Sequence, residues 1–119
     1  MDFLVDTNII LLHFKEGFFD TASPDAHFVT SVVNEAEVLR YPGLSEDDLR
    51  EIDSVLSTMR IINIDSIIAR RAAELGRTRT TKLPDLLIAA TALELGIPLI
   101  TKNLHDFKDI PGLIVRDHV

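Results

Sequence analysis

Short β-branched runs alternating with longer segments of helical spacing predict an α/β fold on a mainly parallel sheet. Three observations support this. The runs Phe3-Leu4-Val5, His27-Phe28-Val29-Thr30, Arg60 to Ile64, Pro98-Leu99-Ile100 and Leu113 to Val115 are all short enough to be strands. Between most of them lie stretches with apolar residues every three or four positions, as a half-buried helix requires. The first run is apolar throughout, as expected for a strand covered on both faces in the middle of a parallel sheet.

The elements follow in order. Thr7 to about Lys15 reads as a helix that Gly17 ends, with Asp6 or Thr7 as its N-cap. Ser23-Pro24-Asp25 is turn chemistry. Ser31 caps a helix over Val32 to Leu39, with apolar Val32, Val33, Ala36 and Leu39 at helical spacing. Tyr41-Pro42-Gly43 stops it. Ser45-Glu46-Asp47-Asp48 resembles a capping box with Asp in the usual Glu position. The helix after it carries Leu49, Ile52, Val55, Leu56 and Met59 along one face. Asp65 caps a helix with Ile68, Ala72 and Leu75 inward, ending near Gly76. Pro84 fits the first turn of a nearly all-apolar helix that runs to Leu95 and stops at Gly96. Its Ala89, Ala90, Thr91 and Ala92 suit close packing on a sheet.

Composition narrows the function. A length of 119 residues with 46% hydrophobic content suits one domain with a real core. With no cysteines, disulfides and thiolate zinc sites are excluded, which fits a reducing cytoplasm. No apolar stretch is long enough to span a membrane, and the start lacks the basic region of a signal peptide. The net charge of −7 opposes nucleic-acid binding unless acids hold a metal or basic residues cluster. Arg70 and Arg71 read as a solvated helix face. Arg77, Arg79 and Lys82 lie in a Thr-rich loop before Asp85, and there phosphate contact is favoured, with Arg79 and Lys82 as the candidates. There is no Gly-rich phosphate loop, internal repeat or low-complexity segment.

Several polar residues fall where strands meet helices. Asp6 follows the first run, Asn103 follows Leu99-Ile100, and Asp85 sits among Leu83, Pro84, Leu86 and Leu87. An acid in such surroundings is costly unless paired, capped or coordinated. The bland readings are that Asp6 only caps a helix and Asp85 only favours a helix dipole. Glu37 shares a helix face with Asn34 near the core, whereas Glu35 reads as solvated. Three carboxylates and an amide suit a hard divalent cation, which can activate water and neutralise charge building on a phosphate.

Four segments occur in order: Leu4-Val5-Asp6-Thr7-Asn8, Ser31 to Leu39, Lys82 to Ala92, and Thr101-Lys102-Asn103-Leu104-His105-Asp106-Phe107. Together they resemble the PIN domain, in particular the VapC-like ribonuclease toxins of toxin–antitoxin pairs, over essentially residues 1–119. The resemblance implies a three-layer α/β/α fold with a central sheet of four or five strands and helices on both faces. It also implies an Mg2+- or Mn2+-dependent endoribonuclease, an RNA substrate, a homodimer, and an antitoxin that sets a basic side chain in the acidic cleft. By position, Asp6 and Asp85 become metal ligands with Glu37. Asn103 stands where many members have a fourth acid, and there it positions metal-bound water. Asp106 compensates or caps a short helix, Asn8 supports Asp6 by hydrogen bonding, and Thr101 also supports the site. Two rivals remain: a PIN-like protein-binding module with little or no nuclease activity, and a phosphoaspartate receiver using Asp2 and Asp6.

Overall fold

The computed structural model describes Met1–Val119. Along the chain lie β1 (Asp2–Val5), α1 (Thr7–Glu16), a 3-10 turn (Phe18–Thr21), β2 (His27–Ser31), α2 (Val32–Leu39) and α3 (Glu46–Leu56). Then come β3 (Arg60–Ile62), α4 (Ser66–Gly76), α5 (Leu83–Leu95), β4 (Leu99–Ile100), α6 (Leu104–Phe107) and β5 (Val115–Arg116). All five strands are parallel, in the order β3-β2-β1-β4-β5.

The alternation of side chains along β1 divides the interior in two. Leu4 faces a core shared with Val29, Ile62, Leu99 and the helices α4 and α5. Phe3 and Val5 face the other, shared with Ile9, Ile10, Val38, Ile52, Leu56 and Ile100. Helices therefore cover both sheet faces, and the continuous apolar run of β1 has its explanation. In α5, Leu86 and Ile88 to Ala92 are all buried, so this helix presents no consistent solvent face. Its one buried hydroxyl, on Thr91, is satisfied by donating to the Leu87 carbonyl at 2.7 Å.

Local chemistry set most boundaries. Asp6, Ser31, Ser45 and Asp65 each cap the following helix through a side-chain oxygen. Gly17 and Gly96 end α1 and α5 at φ 69° and 67°, a left-handed backbone that favours glycine.

Other expectations failed where tertiary contacts decided. The last strand is Val115–Arg116 rather than 113–115, because the two-residue β4 can pair only opposite itself. β3 stops at Ile62, since its partner β2 ends at Ser31 to start α2. Of the apolar face expected for α3, only Ile52 and Leu56 are buried. Leu49 is exposed, and Met59 reaches the core from the turn beyond the helix. Ala36 is exposed, and the fully buried position on α2 besides Val38 is the polar Asn34. The 3-10 turn after Gly17 has no counterpart among the expected elements.

β1 joins β2 on one side and β4 on the other, and the chain reverses its winding there. In open α/β sheets this switch point opens a crevice at the carboxyl ends of the strands. Asp6 and Thr101 stand on its two sides.

The tight seat of α5 makes a stability prediction. Ala90→Leu adds bulk where no surface is exposed and should cost about 1–3 kcal/mol by overpacking. Urea unfolding measures it, and an unchanged midpoint would contradict the seat described.

Candidate active site

Asp6 is only 6% exposed and both its carboxylate oxygens are used. Oδ1 accepts from the Ile9 N–H at 3.1 Å, the cap expected from sequence. Oδ2 accepts from the Thr101 hydroxyl across the β1/β4 crevice. The Thr101 oxygen in turn accepts from the Asn103 N–H at 3.0 Å. Burial raises the Asp6 pKa, and the charge of Glu37 raises it further. The Thr101 hydroxyl and the N–H groups of Ile9 and Asn8 oppose that rise.

A second chain of bonds fixes Glu37. Asn34, without exposed surface, accepts at Oδ1 from the Ser31 N–H at 3.2 Å. The Thr30 hydroxyl lies 3.2 Å from the same oxygen and 3.0 Å from the Val5 carbonyl. The Asn34 Nδ2 then donates to Thr7 Oγ1 at 3.1 Å, and the Thr7 hydroxyl donates to Glu37 Oε1 at 2.9 Å. A buried amide thus orients a hydroxyl, and the hydroxyl orients a carboxylate. Sequence reading placed Asn34 on the right face but missed Thr7 and Thr30 as its partners. The Thr7 signal was present, since it directly follows Asp6 at the start of α1.

Asp85 lies in the first turn of α5. Burial raises its pKa first, followed by the charges of Asp106, Glu37 and Asp6, while Lys82 lowers it. These acids therefore share one electrostatic field. Even so, no three His, Asp or Glu side chains group closely enough to hold an ion by themselves. Asp6 is turned toward Ile9 and Thr101, and Glu37 toward Thr7, so each acid is held by its own donors.

Two cavities meet at Asp85, which lines both. One, of about 420 Å3, is walled by Asp6, Thr7, Asn8, Glu37, Arg40 and Tyr41 among others. The other, of about 660 Å3, is walled by the Thr78 to Lys82 loop with His105 and Asp106. The larger lacks Asp6 and Glu37, so the smaller is the better candidate for chemistry.

Three expected helpers are placed differently. Asn103 donates its side-chain amide to Asp106 Oδ2 at 2.5 Å and lines neither cavity. Asn8 is exposed on the cleft wall, and it is its backbone N–H that supports Asp6. The Arg79 guanidinium donates to the carbonyls of Leu75 at 3.0 Å and Asp109 at 3.1 Å. Its Nε is buried without a partner. Arg79 thus clasps the end of α4 to the segment after α6, whereas Lys82 is exposed and forms no ion pair. The receiver rival also loses its acid pair, because Asp2 begins β1 and Asp6 follows its end.

Comparison with known proteins agrees with this architecture. The PIN domain family profile matches residues 3–113. Ribonuclease VapC10 of Mycobacterium tuberculosis is 30% identical over 114 residues, covering 87% of this chain and 84% of that protein. A chain in the structure of VapBC-1 from nontypeable Haemophilus influenzae superposes with TM-score 0.82 at 26% identity, covering 98% of both chains. A toxin-antitoxin complex from Klebsiella pneumoniae contains a chain with TM-score 0.76 and 31% identity, again covering 98% of both. With the sheet order, the crevice and the profile in agreement, this chain belongs to the PIN domain family.

Proposed function

We propose that this chain is a metal-dependent endoribonuclease that hydrolyses RNA phosphodiester bonds as the toxin of a toxin–antitoxin pair. The observation that carries the reading is the acid cleft at the β1/β4 crevice. Asp6, Glu37 and Asp85 line one cavity, each on a different element and two of them fixed by threonine hydroxyls. The relative named as a ribonuclease supports the RNA substrate, and the similar toxin–antitoxin structures support an antitoxin partner.

The donor chemistry fits magnesium or manganese. All three acids offer hard oxygen donors, and magnesium takes one or two carboxylates while keeping several waters. A site without a closed three-acid grip suits such an ion, with Asp6 and Asp85 as holders and Glu37 beside them. When bound, the ion supplies a Lewis acid for a phosphate oxygen and a water of lowered pKa.

The protein's own groups do the positioning. Thr101 and the Ile9 N–H hold Asp6 in place on the wall of the cleft. Thr7 holds Glu37 so that its free oxygen can orient or accept a proton from water. Lys82, with no partner of its own, offers a cation to RNA phosphate beside Asp85. Asp106, held by Asn103, adds negative charge near Asp85 without lining the smaller cavity. An acidic chain also favours a cationic protein partner. Exposed apolar Ile67 and Leu83, 63% and 61% accessible, leave surface for that partner and for a homodimer.

Asp85→Asn should lose at least a hundredfold in RNA cleavage with manganese while keeping a native circular dichroism spectrum, and EDTA should silence the wild type. Glu37→Gln should cost far more rate than Glu35→Gln, because only Glu37 is held by Thr7 and lines the cleft; equal rates would remove Glu37 from the chemistry.

Stability in EDTA offers a test independent of cleavage. Asp6 and Asp85 both have raised pKa values in the fold. Well below the ordinary value of 3.8 both are neutral, folded or unfolded, and cost nothing. As pH rises through the raised values, the fold must ionise groups that the unfolded chain has already ionised, so stability falls. Asp85→Asn should therefore gain on wild type as pH rises toward 7, with little difference near pH 3. Manganese at a hundredfold excess over its dissociation constant should restore about 2.7 kcal/mol to wild type and much less to the variant. Melting curves with EDTA and with manganese decide it, and a wild type indifferent to both would contradict the shared site.

The partner can be tested directly. Coexpression with the product of the adjacent reading frame should give a stable complex with the nuclease silenced. A neighbour that neither binds nor inhibits would remove the toxin assignment while leaving the fold family intact.

A further inference from the structure

The wall of the acid cavity carries two side chains, Arg40 and Tyr41, that the proposed chemistry leaves idle. Arg40 follows the last turn of α2, three residues after Glu37 and so on the same face. Its guanidinium has no ion-pair or side-chain hydrogen-bond partner in the fold. Tyr41 is 48% exposed, lines the same cavity and belongs to neither apolar core. Its ring stacks on no other aromatic ring.

The backbone around Tyr41 is stiffened. Pro42 restricts the residue before it to extended conformations. Gly43, at φ 80°, has the positive φ that a type II turn requires after proline. A backbone stiffened this way has less freedom to lose when something lies against the Tyr41 ring. An exposed aromatic face beside an unpaired guanidinium, both bordering carboxylates, suits a ligand that brings a flat π-system and a phosphate together. An unpaired nucleotide does so, whereas an apolar peptide side chain would leave the Arg40 guanidinium without a partner.

We propose that Arg40 and Tyr41 form a nucleotide subsite beside the cleaved bond, with Tyr41 stacking one unpaired base and Arg40 holding an adjoining phosphate. The substrate strand then crosses the acid cleft at Asp85 and leaves along the Lys82 side. A base inside a duplex cannot reach the ring, so the subsite takes an unpaired position of the strand. Stacking alone tolerates any base, so this side sets strand accessibility more than sequence.

The subsite rests on the ribonuclease reading, and the experiment separates the two. Cleavage of a short single-stranded RNA is measured with manganese for wild type, Tyr41→Ala, Tyr41→Phe and Arg40→Gln, with thermal melts confirming the fold. Tyr41→Ala should raise KM by about five- to a hundredfold with kcat little changed, the range expected for one lost stack. Tyr41→Phe, which keeps the ring, should stay near wild type. Arg40→Gln should lower the salt slope of binding by about 0.7, one phosphate contact on a single strand. A series of RNAs with single abasic positions should show one position at which Tyr41→Ala causes no further loss. Tyr41→Ala with wild-type KM, Tyr41→Phe as impaired as Tyr41→Ala, or an abasic series without such a position would overturn the subsite while the nuclease stands. Variants that cleave normally but escape inhibition by the coexpressed partner would assign the face to protein and also overturn it. A wild type that cleaves no RNA under any divalent ion would bring down the nuclease reading, and the subsite with it.

Discussion

The hydrogen bond from the Thr101 hydroxyl to Asp6 joins residues 95 apart in sequence and closes the crevice between β1 and β4. Much of the site depends on it. Asp6 already caps α1 through its other oxygen, so one buried carboxylate ties the first strand, the first helix and the end of β4 together. A charge with so little exposed surface would be expensive if any of these donors were lost. The same contact orders the segment after β4. Thr101 accepts from the Asn103 N–H, Asn103 holds Asp106, and Asp106 contributes to the field around Asp85.

Acids collected at one strand edge oppose folding, and the fold offsets this with donors that hold each acid separately. Asp6 has a hydroxyl and backbone N–H groups, Glu37 has Thr7, and Asp106 has Asn103. Asp85 lacks such a side-chain donor and stands at the start of a long helix, whose dipole favours a negative charge. Its raised pKa shows that burial and neighbouring acids outweigh the help from Lys82. Asp85 is thus the least compensated acid of the cleft and also the one residue common to both cavities. Strain of this kind is expected where a site is arranged for charge that a ligand brings.

Much of this was legible in the chain, and the reason differs from feature to feature. Caps and glycine stops are decided within four residues, so Asp6, Ser31, Asp65, Gly17 and Gly96 could be read locally. The helical phase that set Glu37 beside Asn34 is equally local, and the four family motifs supplied the order of the acids. What escaped depends on contacts across the fold. Arg79 looked like a phosphate ligand from its Thr-rich surroundings, yet its guanidinium spans the carbonyls of Leu75 and Asp109. Asn103 looked like a cleft residue from its place after β4, yet one turn of helix brings Asp106 within its reach. Arg40 was a different kind of miss, because its spacing from Glu37 is helical and was available to sequence reasoning.

Charge placement reconciles an acidic chain with an anionic substrate. The net charge of −7 acts at long range, but salt screens it beyond about 8 Å at physiological ionic strength. Contact with RNA is decided instead by the groups within that distance of the cleft. Arg40 lines the smaller cavity and Lys82 the larger, Asp85 lines both, and the two cations are exposed without ion-pair partners. A divalent ion would neutralise part of the cleft's own charge, turning a repulsive centre into one that a phosphate can approach. The long-range field then favours cationic proteins over RNA, while the short-range cations favour RNA once it arrives. Under the proposed function, a basic partner protein and an RNA strand would compete for the acids around Asp85.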